Sequence, residues 1–118
     1  MRKVMLTMLL VVAVIIVGAQ NNRAEAYDIY VGTYGSGLKA YLMTEYINYN
    51  GYRTFDCTIK ATGYMTVYVD YSFWNYAGES HFHFKNSQGY SGIVSPGSVE
   101  DNIVKNYQSL WSQRIRNR

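Results

Sequence analysis

The chain has 118 residues, 16% of them aromatic and 16% charged, with a single cysteine and a formal net charge of +3. That length suits one modest domain behind a leader, and a lone cysteine excludes an internal disulfide framework. Arg2, Lys3 and Arg23 supply much of the positive balance. Without them no basic patch of the kind a nucleic-acid surface needs is left.

Residues 1–26 read as an export signal. Arg2 and Lys3 precede an apolar run from Val4 to Ala19, broken only by Thr7 and Gly18. A polar stretch then ends in Ala24-Glu25-Ala26, the small-x-small pattern cut by a signal peptidase, which predicts a mature start at Tyr27. Val17 and Ala19 mark a second, less favoured cut. The 16-residue apolar run falls short of the roughly 20 residues of a spanning helix. An uncleaved anchor is the alternative, and the only membrane attachment the sequence suggests. The expected location is secreted, or periplasmic or at the cell surface. Residues 27–118 form the single expected domain: 92 residues with eight basic and seven acidic side chains, and all 13 tyrosines. A chain this size buries only about 60–70% of its unfolded surface, so aromatic side chains carry much of its core.

Strands come first. Tyr27 to Val31 alternates, Gly32 to Gly37 turns, and Leu38 to Met43 alternates again, which is a hairpin pattern. Thr44 to Tyr49 either continues the second strand past a bend or forms a short third one, ahead of the Asn50-Gly51 turn. Arg53 to Lys60 places Phe55, Cys57 and Ile59 on one face and Thr54, Asp56 and Thr58 on the other. Tyr64 to Trp74 is the longest expected strand, with Val67, Val69, Tyr71 and Phe73 opposite Tyr64, Thr66, Tyr68 and Asp70. Ser80 to Lys85 alternates Phe82 and Phe84 against His81 and His83, and Ile93-Val94 suggests an edge strand.

The period then changes. Ser98 followed by Asp101 resembles a capping box. Val99, Ile103, Val104, Tyr107, Leu110 and Trp111 form one apolar stripe, and Arg114 and Arg116 suit a helix C-terminus. A helix of about residues 98–113 is expected. The fold class is therefore α+β: a five- or six-stranded antiparallel meander sheet with one C-terminal helix packed on one face.

The segments Tyr30-Val31-Gly32-Thr33-Tyr34 and Tyr41-Leu42-Met43-Thr44-Glu45 resemble a pattern that recurs in small exported bacterial β-rich proteins with no assigned role. The resemblance implies export and a β-rich fold, and carries over no functional residue.

Two sets of residues are candidates for function. Tyr41, Tyr52, Tyr64 and Tyr68, together with His81 and His83, are expected on the sheet face opposite the core, where flat rings with hydrogen-bonding tips suit binding of a glycan, an envelope protein or a second copy of the chain. His81 and His83, two apart on a strand, are the alternative as a transition-metal site, with Asp70, Asp56 or Glu79 as completing ligand. No cofactor is expected otherwise. Cys57 shares its face with Phe55 and Ile59 and points away from both histidines, which argues against a cysteine nucleophile. The leading expectation is an exported, non-enzymatic binding or envelope-associated module. A small metal-dependent enzyme or hydrolase built on His81 and His83 is the runner-up.

Overall fold

The computed structural model describes residues 26–117. The expected export signal, including Ala24, lies outside them apart from Ala26. Six strands follow in order: β1 (Asp28–Thr33), β2 (Lys39–Met43), β3 (Thr54–Thr62), β4 (Thr66–Trp74), β5 (His83–Asn86) and β6 (Ser91–Ile93), then helix α1 (Val99–Arg116). Each strand pairs antiparallel with the next, so sequence order is also spatial order. The expected α+β meander with one C-terminal helix is the observed architecture, with six strands.

The centre of the sheet is the β3–β4 pair, in register from Thr54↔Trp74 to Thr62↔Thr66. Alternation sends Phe55, Cys57, Ile59 and Ala61 of β3, and Val69, Tyr71 and Phe73 of β4, to one buried face. Ile103, Val104 and Tyr107 of α1 close over that face. Phe55 is the pivot: its ring stacks on Tyr107 at 3.6 Å and on Phe73 at 4.8 Å. Aromatic overlap of this kind stabilises beyond the area it buries. Cys57 is buried as a small apolar side chain. Burial, with Asp56 and Asp70 nearby, pushes its thiol well above the usual range.

A bulge sets where the helix docks. Pairing shifts between Tyr30 and Gly32, so Val31 is the extra residue of β1. Gly32 takes φ +132°, and a Cβ there would lie 3.1 Å from Val99 Cγ2. Asn102 Nδ2 donates to the Val31 carbonyl at 2.8 Å, fastening the first turns of α1 to the bulge. The start of α1 is capped as its sequence suggests, because Ser98 Oγ accepts from Asp101 N–H at 3.1 Å. The Asp101 carboxylate reaches one residue further out than a capping box requires and accepts from Gly97 N–H. Arg114 lies 4.0 Å over the Tyr49 ring, so that part of the basic tail makes a cation–π contact.

Several boundaries differ from expectation. Thr44–Tyr46 is a 3-10 turn rather than a strand, and only Asn48 bridges to Asp56 beyond it. β4 begins at Thr66, with Gly63 to Met65 forming the bend before it. β5 begins at His83, so His81 is in a loop. α1 runs to Arg116 because nothing breaks the helix at Gln113.

Candidate functional site

The loop between β4 and β5 is built around Asn75. Its side chain accepts from Arg53 Nη1 at 2.6 Å and donates to the His81 carbonyl at 2.7 Å. Its own N–H donates to the Arg53 carbonyl at 2.9 Å. Both ends of the loop are thereby tied to the start of β3. Within it, Glu79 N–H donates to the Tyr76 carbonyl, closing a turn in which Gly78 takes φ +91°. Tyr76 N–H donates to Glu79 Oε1 at 3.1 Å, which turns the carboxylate back toward β5. Phe82 drops into the core edge-on to Phe55, anchoring the chain between the two histidines.

The result is a three-residue cluster. One candidate ligand atom from each of Glu79, His81 and His83 lies within 4.8 Å of the others. His83 Nε2 is 3.0 Å and 3.2 Å from the two Glu79 oxygens, and His81 Nε2 is 3.5 Å from Glu79 Oε2. Zinc–ligand bonds of about 2.0–2.1 Å in a tetrahedron imply ligand separations of roughly 3.3 Å. The nitrogen–oxygen spacings of the two histidines bracket that figure. The His83 ring is fixed by Trp74, stacked at 5.7 Å and 11°, and by the edge of Tyr76 at 5.3 Å. Burial pushes the Glu79 carboxyl up, but the Tyr76 N–H, the His83 hydrogen bond and the charges of His83 and His81 outweigh it, so its pKa lies below the ordinary value. The three side chains are only 21–39% exposed. Two imidazoles and one carboxylate form a donor set for zinc, copper or iron(II) that leaves coordination positions open.

Strand alternation predicts His81 and His83 on one strand face, roughly 6.5–7 Å apart along the chain. The structure brings them together differently, with His81 in the loop and ring centroids 5.3 Å apart. Of the three acids that could complete the site, it selects Glu79. Asp70 instead accepts from Thr58 Oγ1 at 2.9 Å on the open sheet face, and Asp56 lies on that face in β3.

The tyrosine set divides. Tyr41 and Tyr68 do lie on the face opposite α1, which no other element covers among the described residues. Cross-strand register places Tyr30, Tyr41, Lys60 and Tyr68 in one row. Tyr30 is an addition to the expected set, and its alternation against Ile29 and Val31 is the signal that puts it on that face. Its ring tilts against Tyr41 at 5.6 Å. Tyr52 and Tyr64 are corrections: neither lies on a strand face, because Tyr52 precedes β3 and Tyr64 tips the β3–β4 bend at 75% exposure. Much of the polar surface of this face is paired within the sheet, as Lys60 with Asp28 at 3.0 Å and Thr62 with Thr66 at 3.1 Å. At the predicted cleavage site, Ala26 and Tyr27 are exposed, and the Tyr27 N–H and carbonyl are both bonded to Thr44.

No protein-family model, curated protein or solved structure matches this chain.

Proposed function

We propose that the chain is an exported binding module that takes up one divalent transition-metal ion of the zinc or copper class at Glu79, His81 and His83. The observation that carries this reading is the convergence of the three donors at ligand spacing, held by the Arg53–Asn75 clamp and the Trp74 stack. Outer contacts of this kind orient first-sphere ligands and raise affinity. The export signal at residues 1–26 supports a working place outside the cytoplasm. A cleft lined by Leu38, Val67, Tyr71 and Phe84 opens on the helix side of the sheet, away from His83.

Calorimetric titration of tag-free protein with Zn2+ and Cu2+ tests it. One ion per chain is expected. His83→Ala should abolish the uptake, and Asn75→Ala should weaken it about 10–100-fold by releasing the loop. Unchanged affinity and stoichiometry in His83→Ala would remove the proposal.

The row of Tyr30, Tyr41 and Tyr68 supports a second binding role, because three rings along one open face suit stacking on a glycan of the cell wall. Co-sedimentation with insoluble peptidoglycan should be lost in a Tyr41→Ala, Tyr68→Ala double variant. Retention of the double variant on the polymer would rule this face out.

A further inference from the structure

α1 covers the helix-bearing face only in part. It starts against Gly32 and runs toward the loop before β3, where the Tyr107 hydroxyl donates to the Gly51 carbonyl. Beside its first turn a cleft of about 570 Å³ remains. That volume falls in the range of small-molecule sites, about 300–1,000 Å³. Leu38, Val67, Val69 and Phe84 supply apolar wall, and Ser36, Asn86 and Gln88 add polar groups that can donate as well as accept.

The polar chain of Tyr34, Tyr71 and Glu100 in this cleft has a fixed direction. The Tyr71 hydroxyl donates to Glu100 Oε2 at 2.7 Å, and the Tyr34 and Tyr71 hydroxyls are 2.8 Å apart. A carboxylate only accepts, so the single Tyr71 proton is committed to Glu100. The Tyr71 oxygen must then accept from Tyr34. Both hydroxyl protons are spent, so this chain of groups presents a ligand with lone pairs on Tyr34 and on the second Glu100 oxygen. Burial pushes the Tyr34 hydroxyl up to about 12 and Tyr71 higher still, so both remain protonated at neutral pH. None of the ion pairs among the described residues involves Glu100.

Glu100 is the one charged side chain among the described residues that line this cleft, so the polar end of the cleft is acidic and favours a cationic head. We propose that the cleft binds an organic cation, with a primary amine or ammonium head on Glu100 and Tyr34 and an apolar body along Val67, Val69 and Phe84. A carboxylate head would meet the like charge of Glu100. An alcohol head would find the acceptors but gain no charge pairing. The site is independent of the metal cluster, since His83 points to the other sheet face.

Three probes that share an indole ring and differ at the head test this: tryptamine, tryptophol and indole-3-acetate. Each is titrated into the purified protein while the methyl signals of Leu38, Val67 and Val69 are followed by NMR. Tryptamine should saturate with shifts at these methyls, tryptophol should bind at least about tenfold more weakly, and indole-3-acetate should not bind. Glu100→Gln should reduce tryptamine affinity at least about tenfold and erase the preference for the amine. Val67→Trp, which fills the cleft and leaves Glu100 in place, should abolish binding. If that variant does not fold, Tyr34→Phe, which keeps the ring and removes one acceptor, should give a several-fold loss. Equal binding of the three probes, no shift with tryptamine, or unchanged affinity in Glu100→Gln would overturn the proposal.

Discussion

Replacing Tyr107 by alanine should cost the fold about 3–5 kcal/mol, the range for a buried aromatic-to-alanine change. The ring is fully buried and lies flat on Phe55 at 3.6 Å and 7°, with Tyr49 and Trp111 also against it. Phe55 belongs to the central strand and is itself stacked on Phe73, so the walls of the vacated space cannot collapse inward without moving β3. The hydroxyl adds a second, separable part. It donates to the Gly51 carbonyl, and Tyr107→Phe should cost about 0.5–1.5 kcal/mol for that bond. A domain of this size has a total stability of about 5–15 kcal/mol, so the alanine variant loses a large share of it. Urea unfolding followed by tryptophan fluorescence and far-ultraviolet circular dichroism measures both losses. With a slope of about 1 kcal/mol per molar urea, the alanine midpoint should fall by about 3 M or more. A Tyr107→Ala midpoint no lower than that of Tyr107→Phe would mean that α1 does not seal the Phe55 cluster, and the stacking of Phe55 between Tyr107 and Phe73 would be refuted.

Other expectations can be checked on the same preparations. Tyr34 and Tyr107 are each pushed up to about 12 by burial, from an unfolded value of 10.0. Because the folded values are raised, the stabilisation is complete below pH 10 and is lost as pH rises toward 12, by at most about 1.4 kcal/mol per pH unit for each group. Alkaline titration at 295 nm should show these hydroxyls ionising well above pH 10, and a stability that rises above pH 10 would contradict the burial. The Cys57 thiol should ignore a thiol reagent such as dithionitrobenzoate in the native protein and react once denaturant is added; rapid native labelling would place it outside the core. Gly32→Ala should destabilise by about 1–3 kcal/mol, since it combines a positive φ with a Cβ 3.1 Å from Val99; a neutral result in thermal melts would argue against the bulge geometry. Ser98→Ala should cost about 1 kcal/mol by uncapping α1, read in the same melts.

What could be read from the amino-acid order follows the reach of its periodicities. Phe55-Cys57-Ile59 and Val69-Tyr71-Phe73 alternate strictly, and the stripe from Ile103 to Tyr107 repeats at helical spacing, so the buried faces of β3, β4 and α1 were legible. Tyr64 misled because alternation continues through Gly63–Met65 although the chain bends there. The metal cluster was half legible. Two histidines were visible, but the placement of Glu79 depends on the clamp from Arg53 to Asn75, a contact spanning 22 positions. The polar chain from Tyr34 through Tyr71 to Glu100 had no local signal at all. Its members are 37 and 29 residues apart, and only the meander and the docking of α1 bring them together.

X-ray absorption at the zinc edge of the zinc-loaded protein is the sharpest check on metal uptake at Glu79, His81 and His83, because it identifies the donor atoms themselves. A nitrogen and oxygen shell near 2.0–2.1 Å is expected, with the outer scattering of two imidazoles and no sulfur, at the roughly tetrahedral distances of zinc. A sulfur shell near 2.3 Å, which only a thiolate such as Cys57 would supply, or the absence of imidazole scattering would contradict it.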